Sequence, residues 1–342
     1  MRALLPVLAL VLAAPWAPGA ARAEDAPPRL RLAAPPVPQA LALLRAPHGQ
    51  VLRRAGLRAE FTPWRSPEQL RALVASGEVD AAIATLPTAA VLAARGLPCT
   101  VLAAYSAPLW IVSATDDGAD AAPGAAPDAL AAFRALEGEE ILLPFGPGNA
   151  PGLALGVLAQ AAGVRLRMSH AGSALEALNL LRLGRGGHAL LPEPFATRAT
   201  ARARHGAALS RRLDLRALWT QVFPGRGPMP TAALVAVGPA AADPVTRAAL
   251  RGAFAEGLAW AGAEPGAALA LADAAYPELG ALLRAAGPGR PAAPCTPDTP
   301  LSGPGGEAAA RFMIERIFDL CPDCLGGRLP GEGFWDMGHA GS

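Results

Sequence analysis

The sequence contains no lysine, and all 30 of its basic residues are arginine. A P-loop nucleotide site needs a lysine on the phosphates, so this class of site is excluded. The 28 acidic residues nearly balance the arginines, and the two numbers become equal if Arg2 and Arg22 are removed with an N-terminal leader. A net charge near zero gives no support to binding of nucleic acid or of a membrane surface. We therefore expect no nucleic acid among the partners.

Apolar stretches long enough to cross a membrane are also absent. Residues 3–14 form an apolar run, but it is shorter than the ~20 residues that span a bilayer. Arg2 precedes this run, and a small-x-small motif follows it at 21–23. These features are typical of a cleaved secretory signal peptide, so we predict one over residues 1–23 and a mature chain that begins at Glu24. The mature protein would be periplasmic or otherwise extracytoplasmic, with an uncleaved N-terminal anchor as the alternative.

Catalytic motifs are missing as well. The sequence has no Gly-x-Ser-x-Gly elbow, which argues against an α/β-hydrolase. The segment 146–152 approximates a dinucleotide-binding loop, but its last glycine is one residue late and prolines occupy two of its turns. None of the histidines has the His-x-x-x-His or His-x-His spacing of a metal site; they are His48, His170, His188, His205 and His339. We therefore predict no catalytic residue, no cofactor and no metal.

Cysteine is scarce, with four residues in the chain: Cys99, Cys295, Cys321 and Cys324. An oxidising compartment permits disulfides, and an even number fits them, although four cysteines allow three connectivities. All four are therefore disulfide candidates. The Cys-Pro-Asp-Cys spacing at 321–324 is also compatible with a redox pair, or with half of a metal site that Cys295 and His339 could complete.

Alternating apolar segments predict a repeated β-strand and α-helix order. The predicted strands are 29–34, 57–62, 80–85, 100–105, 109–114, 140–143, 165–169, 188–191 and 231–237. The predicted helices are 39–56, 66–76, 87–95, 153–162, 173–183, 244–261, 267–275 and 307–320. Residues 116–127 are rich in Ala, Gly, Asp and Pro and predict a surface loop.

This order predicts an α/β protein of two lobes, each a mostly parallel sheet flanked by helices. We expect the chain to cross between the lobes near 105–109 and 228–231. Lobe 1 is then discontinuous, over 24–107 plus 231–286, and lobe 2 covers 108–230. Residues 287–342 are predicted to hold a Pro/Gly-rich linker, a C-terminal helix and the cysteine-containing tail.

Three segments carry a resemblance to a known family. The first is Pro67-Glu68-Gln69-Leu70 with Leu73 and Gly77-Glu78-Val79-Asp80-Ala81-Ala82, a helix followed by a strand that opens with an acidic residue. The second is residues 89–98, a helix ending in glycine and proline before the fourth strand. The third is Pro192-Glu193-Pro194-Phe195-Ala196-Thr197. In this order and spacing, residues 29–275 resemble the NMT1/TauA/SsuA-like periplasmic binding proteins of nitrate, sulfonate, taurine and pyrimidine-type ABC importers.

The resemblance implies a type II-like periplasmic-binding-protein fold and a monomer that captures a small ligand between its lobes. The implied partners are an ABC permease and its ATPase, to which the ligand is delivered. Two alternatives remain open. One is an enzyme of the same superfamily, related to pyrimidine synthesis, although its cysteine-rich active-site motif is not found here. The other is a redox or metal accessory protein that uses Cys321 and Cys324.

Ligand contacts are expected where strands end, because open parallel sheets bind ligands beyond the carboxyl ends of their strands. The candidates are Thr85, Thr88, Tyr105, Asn149 and Glu193, followed by Pro36 and Trp64. Five of them have a structural alternative that remains open at this point. Thr88 and Asn149 can be helix caps, Glu193 can pair with an arginine, and Trp64 and Tyr105 can be core or cleft-rim aromatics.

Overall fold

The computed structural model describes residues 28–114, 128–200, 208–284 and 301–338. The predicted signal peptide, the predicted loop at 116–127 and Cys295 lie outside these ranges. None of the described helices is both long and apolar enough to cross a membrane.

In the described residues, ten strands form two sheets of five strands each. In chain order they are β1 (Arg29–Ala34), β2 (Arg58–Pro63), β3 (Ala81–Thr85), β4 (Cys99–Tyr105), β5 (Leu109–Ala114), β6 (Glu140–Pro144), β7 (Arg167–Ala171), β8 (His188–Pro192), β9 (Leu209–Asp214) and β10 (Ala232–Val237). The helices are α1 (Ala40–Arg45), α2 (Val51–Arg54), α3 (Pro67–Ala75), α4 (Leu86–Ala94), α5 (Ala129–Arg134), α6 (Ala150–Ala162), α7 (Ala174–Arg182), α8 (Phe195–Thr200), α9 (Leu215–Val222), α10 (Pro239–Ala242), α11 (Pro244–Ala263), α12 (Pro265–Ala275), α13 (Pro277–Arg284) and α14 (Gly303–Leu320).

The two sheets share one topology. The first has the order β2-β1-β3-β10-β4 and the second the order β7-β6-β8-β5-β9. In each sheet the fourth strand of that order is antiparallel to both neighbours, and the other pairs are parallel. The prediction of two mostly parallel sheets flanked by helices is therefore confirmed. We call the first sheet and its helices lobe 1, and the second sheet with α5 to α9 lobe 2.

Local sequence explains why these elements begin where they do. The hydroxyl of Ser66 accepts a hydrogen bond from the Gln69 N–H at 3.2 Å, and Pro67 occupies the first position of α3. Proline fits there because the first N–H groups of a helix have no partner inside it. Strand β4 is buried at every position, as expected of a strand covered by helices on both faces.

The apolar core is continuous between the lobes on one side of the molecule. One cluster of buried side chains runs from α4 and β4 of lobe 1, through α14, to α6 and α9 of lobe 2. A second cluster lies within lobe 1, between its sheet and α1, α11 and α12. A third lies within lobe 2, between its sheet, α7 and α8.

The single helix predicted over 39–56 is wrong. Helix α1 ends at Arg45, Ala46–His48 forms a short 3₁₀ turn, and α2 begins only at Val51. The cause is Pro47, which has no N–H to donate and disrupts a continuing α-helix.

The sequence-based prediction lacks six elements: α5, α8, β9, α9, α10 and α13. Strand β9 shows why, because its sequence Leu-Ser-Arg-Arg-Leu-Asp places two arginines inside a strand. Arg211 is nevertheless buried, because it pairs with Glu193 at 2.9 Å. The hydrophobicity pattern gives no information about this ion pair, so it does not predict the strand.

Candidate functional site

Each lobe presents a row of strand carboxyl ends. The lobe 1 rim is formed by the ends of β1 to β4, and the lobe 2 rim is formed by the ends of β6 to β9. The last residues of these strands in lobe 1 are Ala34, Pro63, Thr85 and Tyr105. In lobe 2 they are Pro144, Ala171, Pro192 and Asp214. Residues 106–108 lead from the end of β4 directly to β5, whose first residue pairs with the last residue of β8. The crossing therefore brings one rim next to the other. Ligands bind beyond such edges in open α/β sheets, so the space between the rims is the candidate site.

Thr231 connects the two crossings of the chain. Its N–H donates to the carbonyl of Tyr105 at 3.1 Å, and its hydroxyl accepts from the Ala107 N–H at 3.0 Å. Its carbonyl accepts from the Leu86 N–H at 3.4 Å. The start of α4 is thereby fixed to the crossing strands, so the lobe 1 rim and the hinge form one hydrogen-bonded unit.

Thr85 and Thr88 lie together at the start of α4. The hydroxyl oxygens are 2.8 Å apart, and the Thr85 hydroxyl accepts from the Thr88 N–H at 3.3 Å. Thr85 is thus the N-cap of α4. The cap expected as the structural alternative for Thr88 is wrong, because Thr88 lies at the third position inside this helix. A hydroxyl can still donate to a ligand while it accepts from the backbone, so the cap does not exclude a second role.

Two buried donors at the lobe 1 rim have no hydrogen-bond partner in the part of the chain that the structure describes. They are the indole Nε1 of Trp64, directly after β2, and the hydroxyl of Ser106, in the first crossing. Trp64 is 6% exposed, and its ring packs in the apolar cluster that joins the lobes, so its core alternative is also correct. Buried polar groups normally have a partner, and those without one call for a specific explanation. Both atoms are therefore candidate ligand donors, and Ser106 was not predicted from the sequence.

The other two lobe 1 candidates differ in position. Pro36 lies half-buried in the turn after β1, at the rim. Tyr105 is only 2% exposed and packs in the lobe 1 core. The structural alternative describes Tyr105 better, because its side chain belongs to the packing of that lobe.

Asn149 begins α6 on the lobe 2 rim. Its side-chain oxygen accepts from the Gly152 N–H at 2.9 Å, and its amide nitrogen donates to the carbonyl of Gly146. The side chain therefore closes its own turn. Phe145, at the start of this turn, has φ of 68° and a side chain that is 36% exposed. Such a backbone conformation is unusual for a bulky residue and is often found at functional sites.

Glu193 is held by its own lobe. One carboxylate oxygen accepts from the Arg211 guanidinium at 2.9 Å, and the other accepts from the Thr197 N–H at 3.0 Å. The side chains of Glu193 and Arg211 are 11% and 9% exposed. The guanidinium also lies 5.2 Å from the ring centre of Trp110. The ion pair with an arginine, which is the structural alternative for Glu193, is thus present.

The structure therefore places most of the candidate residues on the two rims, some on lobe 1 and some on lobe 2. Pro36, Trp64, Thr85 and Thr88 lie on the lobe 1 rim, Asn149 and Glu193 lie on the lobe 2 rim, and Tyr105 lies in the core. Ser106 lies inside the crossing predicted at 105–109, and this position is the sequence signal that could have identified it as a candidate. The positive φ of Phe145 has no signal in the sequence.

Comparison with known proteins identifies the fold. No family model matches the chain, and no curated protein is significantly similar to it in sequence. An ABC transporter protein from Parabacteroides distasonis superposes with a TM-score of 0.66 at 19% identity, covering 90% of this chain and 98% of that chain. The periplasmic aliphatic sulphonate binding protein SsuA from Escherichia coli gives 0.63 at 14% identity, over 92% and 94%. The alkanesulfonate-binding protein SsuA from Xanthomonas axonopodis pv. citri, bound to MOPS, gives 0.60 at 15% identity, over 91% and 98%. The chain has the periplasmic-binding-protein fold.

The cysteines occupy two different places on this periplasmic-binding-protein fold. Cys321 and Cys324 form a disulfide after α14. Cys99 is a free thiol buried at the start of β4, and burial raises its pKa to about 12. Cys99 is therefore wrong as a disulfide partner. Among the described residues, no group of three or more His, Cys, Asp or Glu side chains could hold a metal ion.

Proposed function

We propose that this protein is an extracytoplasmic solute-binding protein of an ABC importer. It captures a small polar ligand between the lobe 1 and lobe 2 rims and delivers it to a membrane permease that is driven by an ATPase. The observation that carries this proposal is the presence of two partnerless buried donors, Trp64 Nε1 and Ser106 Oγ, at the rim of a periplasmic-binding-protein fold. The similar proteins are named as binding proteins and ABC transporter proteins, which supports the same function.

The ligand we propose has hydrogen-bond acceptors that meet the lobe 1 rim. Trp64 Nε1 and Ser106 Oγ supply donors, and the hydroxyls at the start of α4 supply more. The positive end of the α4 dipole favours an acceptor of partial or full negative charge. Lobe 2 would then close over a ligand already held on lobe 1, with Asn149 and Phe145 at the opposite rim.

The division of the chain proposed from the sequence fits this mechanism. Lobe 1 would comprise residues 24–107 plus 231–286 and lobe 2 residues 108–230, so both crossings act as the hinge. We propose a monomer that is exported by a signal peptide over 1–23. A periplasmic location would place it beside its permease.

Native mass spectrometry of the purified mature protein tests the proposed function. We expect a one-to-one complex with a copurified small molecule, and a higher melting temperature when that molecule is added back to stripped protein, because binding to the native state stabilises it. A panel of nitrate, sulfonates, carboxylates, pyrimidines and polyamines covers the case in which nothing copurifies. Absence of both a copurified molecule and a melting shift with any panel member would refute the proposal.

The two alternative functions have less support. The pyrimidine-synthesis type of enzyme requires a cysteine-rich active site, and no cysteine lies in the described part of lobe 2. A redox role would need an accessible thiolate at Cys321 or Cys324. Cys321 ends α14, where the negative end of the helix dipole disfavours a thiolate.

A further inference from the structure

The C-terminal segment, residues 301–338, is attached to the edge of lobe 1. Leu301 exchanges two backbone hydrogen bonds with Ala104 of β4, at 3.1 and 2.6 Å. The Asp336 N–H donates to the carbonyl of Val101 at 3.0 Å. Since β4 is the outermost strand of its sheet, this segment covers the edge that the sheet leaves open.

An ionic contact reinforces this attachment. The Asp336 carboxylate accepts from Arg247 and Arg251 of α11. Burial alone would raise the pKa of Asp336, but the hydrogen bonds from the two arginines outweigh it and lower the pKa. The carboxylate is therefore ionised at neutral pH and the C-terminal segment is held to lobe 1 at both of its ends.

The middle of the same segment packs on lobe 2. Phe312 of α14 lies 5.9 Å from the ring centre of Trp219 and 5.2 Å from that of Phe223. The guanidinium carbon of Arg226 lies over the Phe312 ring, 4.8 Å from its centre. Each aromatic pair shifts an equilibrium between packed and separated states by roughly two- to tenfold. Separation of α14 from lobe 2 is therefore strongly disfavoured.

Two glycines of lobe 2 lie beside the end of α14 and the disulfide, and at Gly156 the approach is too close for a Cβ. A Cβ added to Gly156 of α6 would lie 2.8 Å from Leu320 Cδ2, and one added to Gly148 would lie 3.6 Å from Cys324 Sγ. Gly148 belongs to the loop that leads into α6 at the lobe 2 rim. The turn closed by the disulfide therefore lies beside the loop at the lobe 2 rim, separated from Gly148 by about the space of one methyl group.

The same turn also rests on lobe 1. Gly326 approaches Ala94 at the end of α4, where an added Cβ would lie 2.6 Å from the alanine Cβ. The Arg328 guanidinium donates to the carbonyls of Ala93 and Ala94. Leu325 is fully buried beside this turn. The short segment 321–328 therefore bridges α4 of lobe 1 and the 146–149 loop of lobe 2.

We propose that residues 301–338 are a strap, a third connection between the lobes in addition to the two crossings, and that the Cys321–Cys324 disulfide fixes its lobe 2 contact. The strap restrains opening of the lobes on the side of α4 and α6. Ligand then enters from the opposite side, and the ligand-free protein already favours a nearly closed arrangement. Apparent affinity is proportional to the fraction of molecules in the binding-competent arrangement, so the strap raises affinity without touching the ligand.

Single-molecule energy transfer measures the strap's effect without any ligand. Dyes are attached through p-acetylphenylalanine placed at Val245 of α11 and at Leu183 after α7, which are 66% and 72% exposed. This chemistry leaves every thiol untouched. Oxidised protein should give one narrow interlobe distance distribution. Reduction with a phosphine should broaden that distribution towards longer distances.

Variants separate the disulfide from the other cysteines. The double variant Cys321→Ser/Cys324→Ser should show the broad distribution without reductant, and added reductant should change nothing further. Phe312→Ala should broaden the distribution in oxidised protein. The control is Phe254→Ala, because Phe254 is a fully buried phenylalanine of the lobe 1 core, which α14 does not enter, whereas Phe312 is half-buried. That variant should lower the melting temperature and leave the interlobe distance unchanged.

The proposal is overturned if complete reduction, verified by mass, leaves the distance distribution of the wild-type protein unchanged. It is also overturned if reductant changes the distribution in the double serine variant, or if Phe254→Ala broadens it as much as Phe312→Ala. Because these readouts need no ligand, they remain decisive even if the proposed transport function fails. Where a ligand is in hand, the double serine variant should bind it about tenfold more weakly if the competent fraction falls about tenfold.

Discussion

On the lobe 2 rim the polar side chains of Asn149 and Glu193 are bonded to other groups of the protein. On the lobe 1 rim, by contrast, two buried donors have no partner among the described residues. Asn149 and Glu193 use their side chains for a helix cap and a buried ion pair. The two lobe 1 donors without a partner are Trp64 Nε1 and Ser106 Oγ. A buried donor without a partner costs about 1–3 kcal/mol, so a ligand acceptor at these atoms would gain affinity. The difference supports our proposal that lobe 1 recognises the ligand and that lobe 2 completes the enclosure.

The largest predicted effect concerns the ion pair of lobe 2. Glu193→Ala removes the carboxylate that pairs with the buried Arg211 guanidinium and should lower the free energy of unfolding by about 3–5 kcal/mol. The matched control is Glu60→Ala, which breaks the exposed pair with Arg29 and should cost less than about 1 kcal/mol. Urea unfolding measures both. Equal losses in the two variants would show that Glu193 is not the structural group described.

The next effect concerns the lobe 1 donors. Ser106→Ala should weaken ligand binding roughly tenfold, because one hydrogen bond is lost, and should not lower the free energy of unfolding. Ser169→Ala is the matched control, since Ser169 of β7 also has a buried hydroxyl without a partner in the described residues but belongs to the outermost strand of lobe 2. Titration calorimetry measures the affinities. Unchanged affinity in Ser106→Ala, or equal loss in both variants, would contradict the assignment.

A smaller effect separates capping from recognition. Thr85→Ala and Asn149→Ala each remove an N-cap, so each should lower the free energy of unfolding by about 1 kcal/mol. Only the lobe 1 change should also weaken ligand binding. Thermal unfolding and calorimetry of the two variants test this. A larger affinity loss in Asn149→Ala would reverse the comparison between the rims.

The smallest effect is the pH dependence contributed by His188 in lobe 2. Burial, with a smaller contribution from Arg212, lowers the pKa of this histidine, and its Nδ1 lies 2.7 Å from the Ser113 hydroxyl. Below the ordinary histidine pKa of about 6.5 the unfolded chain takes up a proton that the folded protein resists, so stability falls as pH falls through that value. In His188→Gln, the urea concentration at the unfolding midpoint should change less between pH 7 and pH 5 than it does in the wild-type protein. A slope as steep as that of the wild-type protein would exclude His188 as its source.

The fold could be predicted from the sequence because its main signals are local. Alternating apolar segments and the caps at Ser66 and Asn149 locate most strands and helices. What local patterns miss depends on distant partners. Strand β9 is hidden because Arg211 is neutralised by Glu193, eighteen positions earlier, and the helix predicted over 39–56 breaks because one proline outweighs a regular leucine pattern.

The candidate site could be predicted less well than the fold. Strand ends locate the rims, so Thr85, Trp64 and Asn149 are found in the right region. Whether a polar side chain is available to a ligand depends on what else it contacts, and residue type does not reveal that. Glu193 looks available in the sequence and is fully paired, while Ser106 looks ordinary and has a buried hydroxyl with no partner in the described chain.

Hydrogen–deuterium exchange of the protein with and without its copurified ligand is the most direct measurement. Ligand should slow exchange at both rims, most strongly at residues 64–66, 85–89 and 105–107 of lobe 1, and more weakly at 145–150 of lobe 2. Protection restricted to segments outside the rims, or stronger at lobe 2 than at lobe 1, would contradict capture of the ligand by the lobe 1 rim.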